Sequence, residues 1–201
     1  MYGGLKPLID ARSGNTEDRC REYLQYASAL LFKDPWRVLS YVDPATVTEY
    51  RLHSGDSDYI VVAKIKDELD RESVRAYLWE LKAPQCPMFV KETISRLCPS
   101  KYLYKAINQL LHFYSESEVS GTFRSAFGIV RQEDVRLGGI IIGCNRNKVP
   151  SSLSRTDAKI LYSQVTYAWD CLFENKIRLL NWEKILDWIG PKETHKDEQY
   201  P

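Results

Sequence analysis

An acid and a lysine stand two positions apart at the end of the apolar run Trp79-Glu80-Leu81-Lys82. Side chains alternate faces along a strand, so Glu80 and Lys82 share one wall while Trp79 and Leu81 point into the opposite layer. A carboxylate can hold a divalent cation, and a lysine beside it can orient an attacking water and offset charge developing on a phosphate. Seen alone, such a triplet reads first as a solvated ion pair. The elements around it decide between the two readings.

Upstream, Ser57-Asp58-Tyr59-Ile60-Val61-Val62-Ala63-Lys64-Ile65 places an acid at the head of a run rich in β-branched residues, which predicts a strand. The charged segment from Lys66 to Ser73 separates it from the run that ends in Glu80, and reads as a hairpin loop centred near Leu69 and Asp70. Antiparallel pairing about that centre sets the start of the first strand against the end of the second, bringing Asp58 beside Glu80 and Lys82. The competing reading of Asp58 is a turn acid continuing Gly55-Asp56-Ser57.

Other elements follow from capping and periodicity. Thr16-Glu17-Asp18 opens a helix whose apolar positions are Cys20, Tyr23, Leu24, Ala27, Leu30 and Leu31, stopped by Asp34-Pro35. A short piece from Trp36 to Val42 precedes a strand from Thr46 to His53, with Gly55-Asp56 as the turn into the hairpin. Pro84, Pro87 and Pro99 mark an irregular connection before a helix from Lys101 to Ser117. Phe123 to Val130 and Leu137 to Cys144 read as two strands forming a later hairpin. The remaining elements are a helix from Asp157 to Phe173, a strand from Ile177 to Leu180, and a last helix closed by Gly190-Pro191. Trp182 and Trp188 of that helix look exposed, and 192–201 reads as a disordered tail behind one domain of 1–191. This order predicts an α/β fold: a mixed sheet with helices on both faces.

The whole-chain numbers narrow the function classes. With 201 residues and a formal net charge of +1, nothing global advertises nucleic acid, so any phosphate binding must come from a local patch. Five scattered cysteines without a Cys-x-x-Cys pair suit a reducing compartment better than a disulfide framework or a zinc cluster. No apolar stretch is long enough to span a bilayer and the N-terminus lacks secretory order, so the expected location is the cytoplasm.

The order αβββαβ with Asp58 and then Glu80-x-Lys82 resembles the PD-(D/E)XK nuclease superfamily, the restriction-endonuclease-like fold. Within it, the chain is most similar to the nuclease domain of the Shedu anti-phage defence proteins. Glu22-x-x-Gln25, Asp34-Pro35-Trp36, Glu80-Leu81-Lys82-Ala83-Pro84, Ala106-x-x-Gln109, Gly138-Gly139-Ile140-Ile141-Ile142-Gly143 and Leu179 to Leu186 carry the likeness. It implies a restriction-endonuclease-like αβββαβ core with a C-terminal αβα extension, and a metal-dependent DNA endonuclease working in anti-phage defence. Asp58 and Glu80 would be ligands of Mg²⁺ or Mn²⁺, and Lys82 the catalytic lysine. Gln109 would position the lysine or the DNA backbone, and Glu22 would add a further acid on the first helix. DNA is the implied partner, with a homo-oligomer as the implied assembly. The alternative is a catalytically inactive module of the same fold that binds nucleic acid or a partner protein.

Two surfaces beyond the triplet suit a phosphate backbone. Lys91, Arg96, Lys101 and Lys105 are interleaved with Tyr102 and Tyr104, while Arg124, Arg131 and Arg136 surround the later hairpin. A solvated face is the default for both. His112 reads as a surface or half-buried histidine rather than a ligand.

Overall fold

The computed structural model describes residues 2–12, 16–27, 31, 37–52, 55–93, 95–174 and 176–190. Its centre is a five-stranded mixed sheet in the order β1-β2-β3-β6-β7. Strands β1 (Arg37–Leu52), β2 (Gly55–Lys66) and β3 (Glu72–Leu81) pair antiparallel, and β6 (Val135–Ile141) and β7 (Arg178–Leu180) continue the sheet in parallel. The described helices are α1 (Tyr2–Asp10), α2 (Glu17–Arg21), α3 (Lys101–Val119), α4 (Gly121–Phe127), α5 (Arg155–Leu172) and α6 (Trp182–Ile189). The expected mixed sheet flanked by helices is present. None of the described helices is long and apolar enough to cross a membrane.

The β2–β3 hairpin keeps the predicted centre with a shorter loop, 67–71 instead of 66–73. Asp67 closes it: its carboxylate accepts from the amides of Leu69 (2.8 Å) and Arg71 (2.9 Å) and from Arg71 Nε (2.7 Å). Asp70 takes a left-handed conformation (φ 60°), which an Asp tolerates better than most residues. The ladder runs Lys66↔Glu72 to Tyr59↔Trp79, centred on Leu69.

Alternation along β2 and β3 divides the interior into two layers. Ile60, Val62, Ala76 and Leu78 join Ile140 and Ile142 on the face covered by α3, α4 and α5. Tyr59, Val61, Tyr77, Trp79 and Leu81 join Ile141 on the face covered by α1, α2 and α6.

Several sequence expectations are corrected. The stretch 123–130, read as a strand, is mostly α4: the Ser120 hydroxyl caps it by accepting from the Phe123 amide, and Phe123 and Phe127 meet edge to face one turn apart (5.0 Å) in the core. Gly128 stops it in the left-handed region (φ 67°). There is therefore no later hairpin, and Arg124, Arg131 and Arg136 do not flank one. The connection marked by prolines contains a small antiparallel pair, β4 (Phe89–Thr93) and β5 (Arg96–Pro99). The piece from Trp36 and the strand from Thr46 merge into one edge strand from Arg37. Its register slips between Tyr41 and Thr46, where Asp43-Pro44 falls, because proline has no amide to give to a ladder. Gly55 lies within β2, paired with Leu52, rather than in a turn.

At the N-terminus, α1 had no counterpart in the sequence reading. Glycines and Pro7 argue against a helix there, but burial of Leu5, Leu8 and Ile9 at helical spacing overrides propensity. The helix expected from Thr16 to Leu31 shortens to α2 and a 3₁₀ turn at Leu24–Tyr26; Thr16 donates its hydroxyl to Gln85 Oε1 (3.0 Å) instead of capping. Its continuation through 28–30, the Asp34-Pro35-Trp36 stop and the 192–201 tail lie outside the described residues. Trp182, expected at the surface, is fully buried and donates from Nε1 to the Lys82 carbonyl (2.8 Å), and Trp188 packs half-buried beside it.

One packing detail fixes the end of β3. The β3–β6 register skips at Gly138, and an added Cβ at Gly138 would run into the Trp79 indole, while one at Gly139 would strike the Arg178 carbonyl. Gly139→Val should cost about 1–3 kcal/mol by overpacking, read from urea unfolding. Gly121→Ala, whose methyl meets nothing within 4 Å, should leave stability unchanged or slightly raised.

Candidate active site

The register that pairs Tyr59 with Trp79 sets Asp58 across from Glu80 at the next step, on the same face. The three residues converge as the hairpin symmetry requires. The Lys82 ammonium donates to Glu80 Oε1 and to the Leu81 carbonyl (2.8 Å), and stands 4.0 Å from Asp58 Oδ2. Asp58 Oδ2 accepts from the Leu81 amide at 2.9 Å, tying the acid of one strand to the backbone between Glu80 and Lys82. Lys82 is held through its own backbone: its amide donates to the Ile141 carbonyl (2.8 Å), and its carbonyl accepts from Trp182.

Burial sets the electrostatics. The Glu80 side chain is inaccessible, and its second oxygen, Oε2, has no donor among the described residues. Loss of solvent pushes its carboxyl up to about 9; the Asp58 negative charge adds to the shift and Lys82 opposes it. Two acids around one lysine repel each other when both are ionised, and a proton or a further cation relieves that repulsion. Burial would lower Lys82, but the Glu80 and Asp58 carboxylates outweigh it and hold the ammonium above its ordinary value. Lys82 is therefore a cation in the resting site, and a lysine base of lowered pKa is not what these surroundings produce.

A further acid, missed in the sequence, belongs to this group. Glu17 accepts from the Ala83 amide, and its carboxyl is raised by burial, with Lys82 lowering it and Asp58 raising it. Glu22, expected in that role, is exposed at the end of α2. At about 100° per residue, Glu17 lies about 60° from the buried Cys20 and Glu22 about 200° from it. The phase of that stripe was the available signal. Gln85 was missed as well; it pins the segment after Lys82 to α1 by donating to the carbonyls of Leu8 and Ala11, both at 3.0 Å.

Gln109 lies on α3, half-buried, with its Oε1 buried and unpaired among the described residues. No hydrogen bond joins it to Asp58, Glu80 or Lys82 among those residues. The described residues contain no cluster of three or more His, Cys, Asp or Glu side chains placed to enclose a metal ion. A Mg²⁺ site does not require one: that ion commonly takes one or two carboxylates and keeps its waters. The hard oxygens of Asp58 and Glu80, one of them orphaned, fit such an ion. No family model matches the chain, and no curated protein matches it.

Proposed function

We propose that the chain is a metal-dependent nuclease of restriction-endonuclease-like fold that hydrolyses DNA phosphodiester bonds. The observation that carries this reading is the convergence of Asp58, Glu80 and Lys82 at one end of a hairpin, with Glu80 Oε2 buried and undonated. The strand and helix order around the site supports it.

Asp58 and Glu80 would hold Mg²⁺ or Mn²⁺, which when bound supplies Lewis-acid stabilisation of the phosphate charge. The chain's own residues do the rest. Glu80 would have to give up its proton to act as a ligand, and the positive charge of the ion would then offset the repulsion between the two carboxylates. Lys82 presents an ammonium to the attacking water or a phosphate oxygen, a positioning and charge-offsetting role. Glu17 helps hold that ammonium in place. Asp58, tied to the Leu81 amide, keeps the two strand ends in register. Anti-phage defence and a homo-oligomeric assembly belong to the same reading and rest on the motif resemblance alone; a cytoplasmic location is proposed from the five scattered cysteines.

Supercoiled plasmid incubated with the chain and Mg²⁺ or Mn²⁺ should be nicked or linearised, and EDTA or Lys82→Ala should abolish this. Cleavage unaffected by either change would sink the proposal, as would failure of both metals. Glu17→Gln should slow cutting about tenfold, as loss of a supporting contact behind a ligand set does. Glu22→Gln should leave the rate unchanged.

A further inference from the structure

Along one side of α3, Lys101, Tyr104, Lys105, Asn108, Gln109 and His112 line a shallow open groove. No acid falls on this stripe, and neither lysine has an acidic partner among the described residues. Tyr104 stands half exposed (53%) between the two lysines. Gln109, which also lines the groove, has a buried Oε1 without a hydrogen-bond partner among the described residues.

The charge order of α3 runs against its own helix dipole. Lys101 and Lys105 occupy the first two turns and Glu116 and Glu118 the last, whereas the macrodipole favours acids first and bases last. The arrangement costs helix stability and concentrates positive potential at the N-terminal half. That half sits at the site's end of the sheet. The chain leaves β3 just past Lys82, α3 starts after Ser100 is tied to Met88 and Pro87, and the crossover must return to Val135, which pairs with Ala76 near the start of β3. Lys101 and Lys105 are about 6 Å apart along the helix axis, comparable to consecutive phosphates of a strand.

We infer that this stripe is a track for an unpaired nucleic-acid strand leading to or from the triad. Lys101 and Lys105 take successive phosphates, Tyr104 stacks on a base between them, and Asn108 and Gln109 meet polar edges further along. The inference deepens the nuclease reading and rests on it for the direction of the strand; binding itself is read without cleavage.

The test is fluorescence anisotropy of labelled oligothymidine, and of a duplex of equal length, titrated with the full chain in EDTA over a range of salt. Expected are single-strand binding by the wild type, at least about a tenfold loss in Lys101→Ala/Lys105→Ala, and a salt slope shallower by about 1.4 for two lost phosphate contacts. Tyr104→Ala should weaken oligothymidine at least about fivefold and the duplex little, with Tyr104→Phe restoring it. Arg155→Ala/Lys159→Ala, on the exposed start of α5, should bind as the wild type does. Circular dichroism melts of the lysine variants should be unchanged or higher, since the dipole conflict is relieved. The inference is overturned if oligothymidine is not bound, if the lysine pair is silent, if the α5 pair loses as much, or if duplex binds equally and Tyr104→Ala changes neither. Intact binding with no metal-supported cleavage would instead keep the track and overturn the nuclease reading.

Discussion

Glu80→Gln should melt higher than the parent protein and cut DNA about a hundred- to thousandfold more slowly. The stability half follows from burial. A glutamate whose carboxyl is raised from 4.5 to about 9 on folding contributes most to stability below its unfolded value, and that contribution is lost as pH rises through the folded value. Between those limits the protein carries the cost of protonating or burying Glu80. Glutamine is neutral at every pH, its Oε1 can still accept from Lys82, and its amide can donate to Asp58. The gain at neutral pH should be a few degrees of melting temperature, because the amide removes the cost of holding a glutamate away from its solution protonation state. It should be larger at pH 8.5 than at pH 5.5. A melting temperature below the parent's, or a gain that shrinks with pH, would show that Glu80 is a stabilising ion-pair partner instead.

Lys82→Ala should also lose at least about a hundredfold in rate, and Lys82→Arg should recover little of it. A planar guanidinium cannot reproduce a compact ammonium donating at once to Glu80 and the Leu81 carbonyl. Because Lys82 is held above its ordinary value, the wild-type rate should rise with pH only as Glu80 loses its proton, and the same rise should remain, at a lower rate, in Lys82→Ala. A rate that keeps climbing with pH and loses that climb in Lys82→Ala would assign the lysine as a base. Lys82→Ala should also destabilise the fold by removing the cation that the Glu80 and Asp58 side chains face. Lys82→Ala/Glu80→Gln should be more stable than the single lysine variant, a coupling that a double-mutant cycle measures.

The hairpin was legible because its pairing depends on one number, the loop centre. Any loop centred at Leu69 sets 58 against 80, so the loop's true length did not matter. Lys82 followed from alternation. The helical acid was less legible: Glu17 looked like a dipole-favouring first-turn residue, which it also is, and its approach to Lys82 depends on how α2 packs across the end of the sheet. Gln109 was placed correctly on the helix after β3, but which group its buried oxygen serves is a matter of tertiary contacts. The failed strand at 123–130 shows the limit of short apolar runs. Phe123 and Phe127 are compatible with period 2 and with one helical turn, and the Ser120 cap and Gly128 stop are the marks that separate them. Trp182 misled for a related reason, because an indole at a helix start gives no hint that a carbonyl such as that of Lys82 waits for its N–H.

The central claim, that Asp58 and Glu80 form a cation site closed by a proton at rest, is tested most directly by calorimetric titration of Mn²⁺ at pH 7 in two buffers of different ionisation enthalpy. The expected result is saturable binding with about one proton released per chain, and loss of both binding and release in Glu80→Gln. Binding without proton release, or binding that survives Glu80→Gln unchanged, would contradict it.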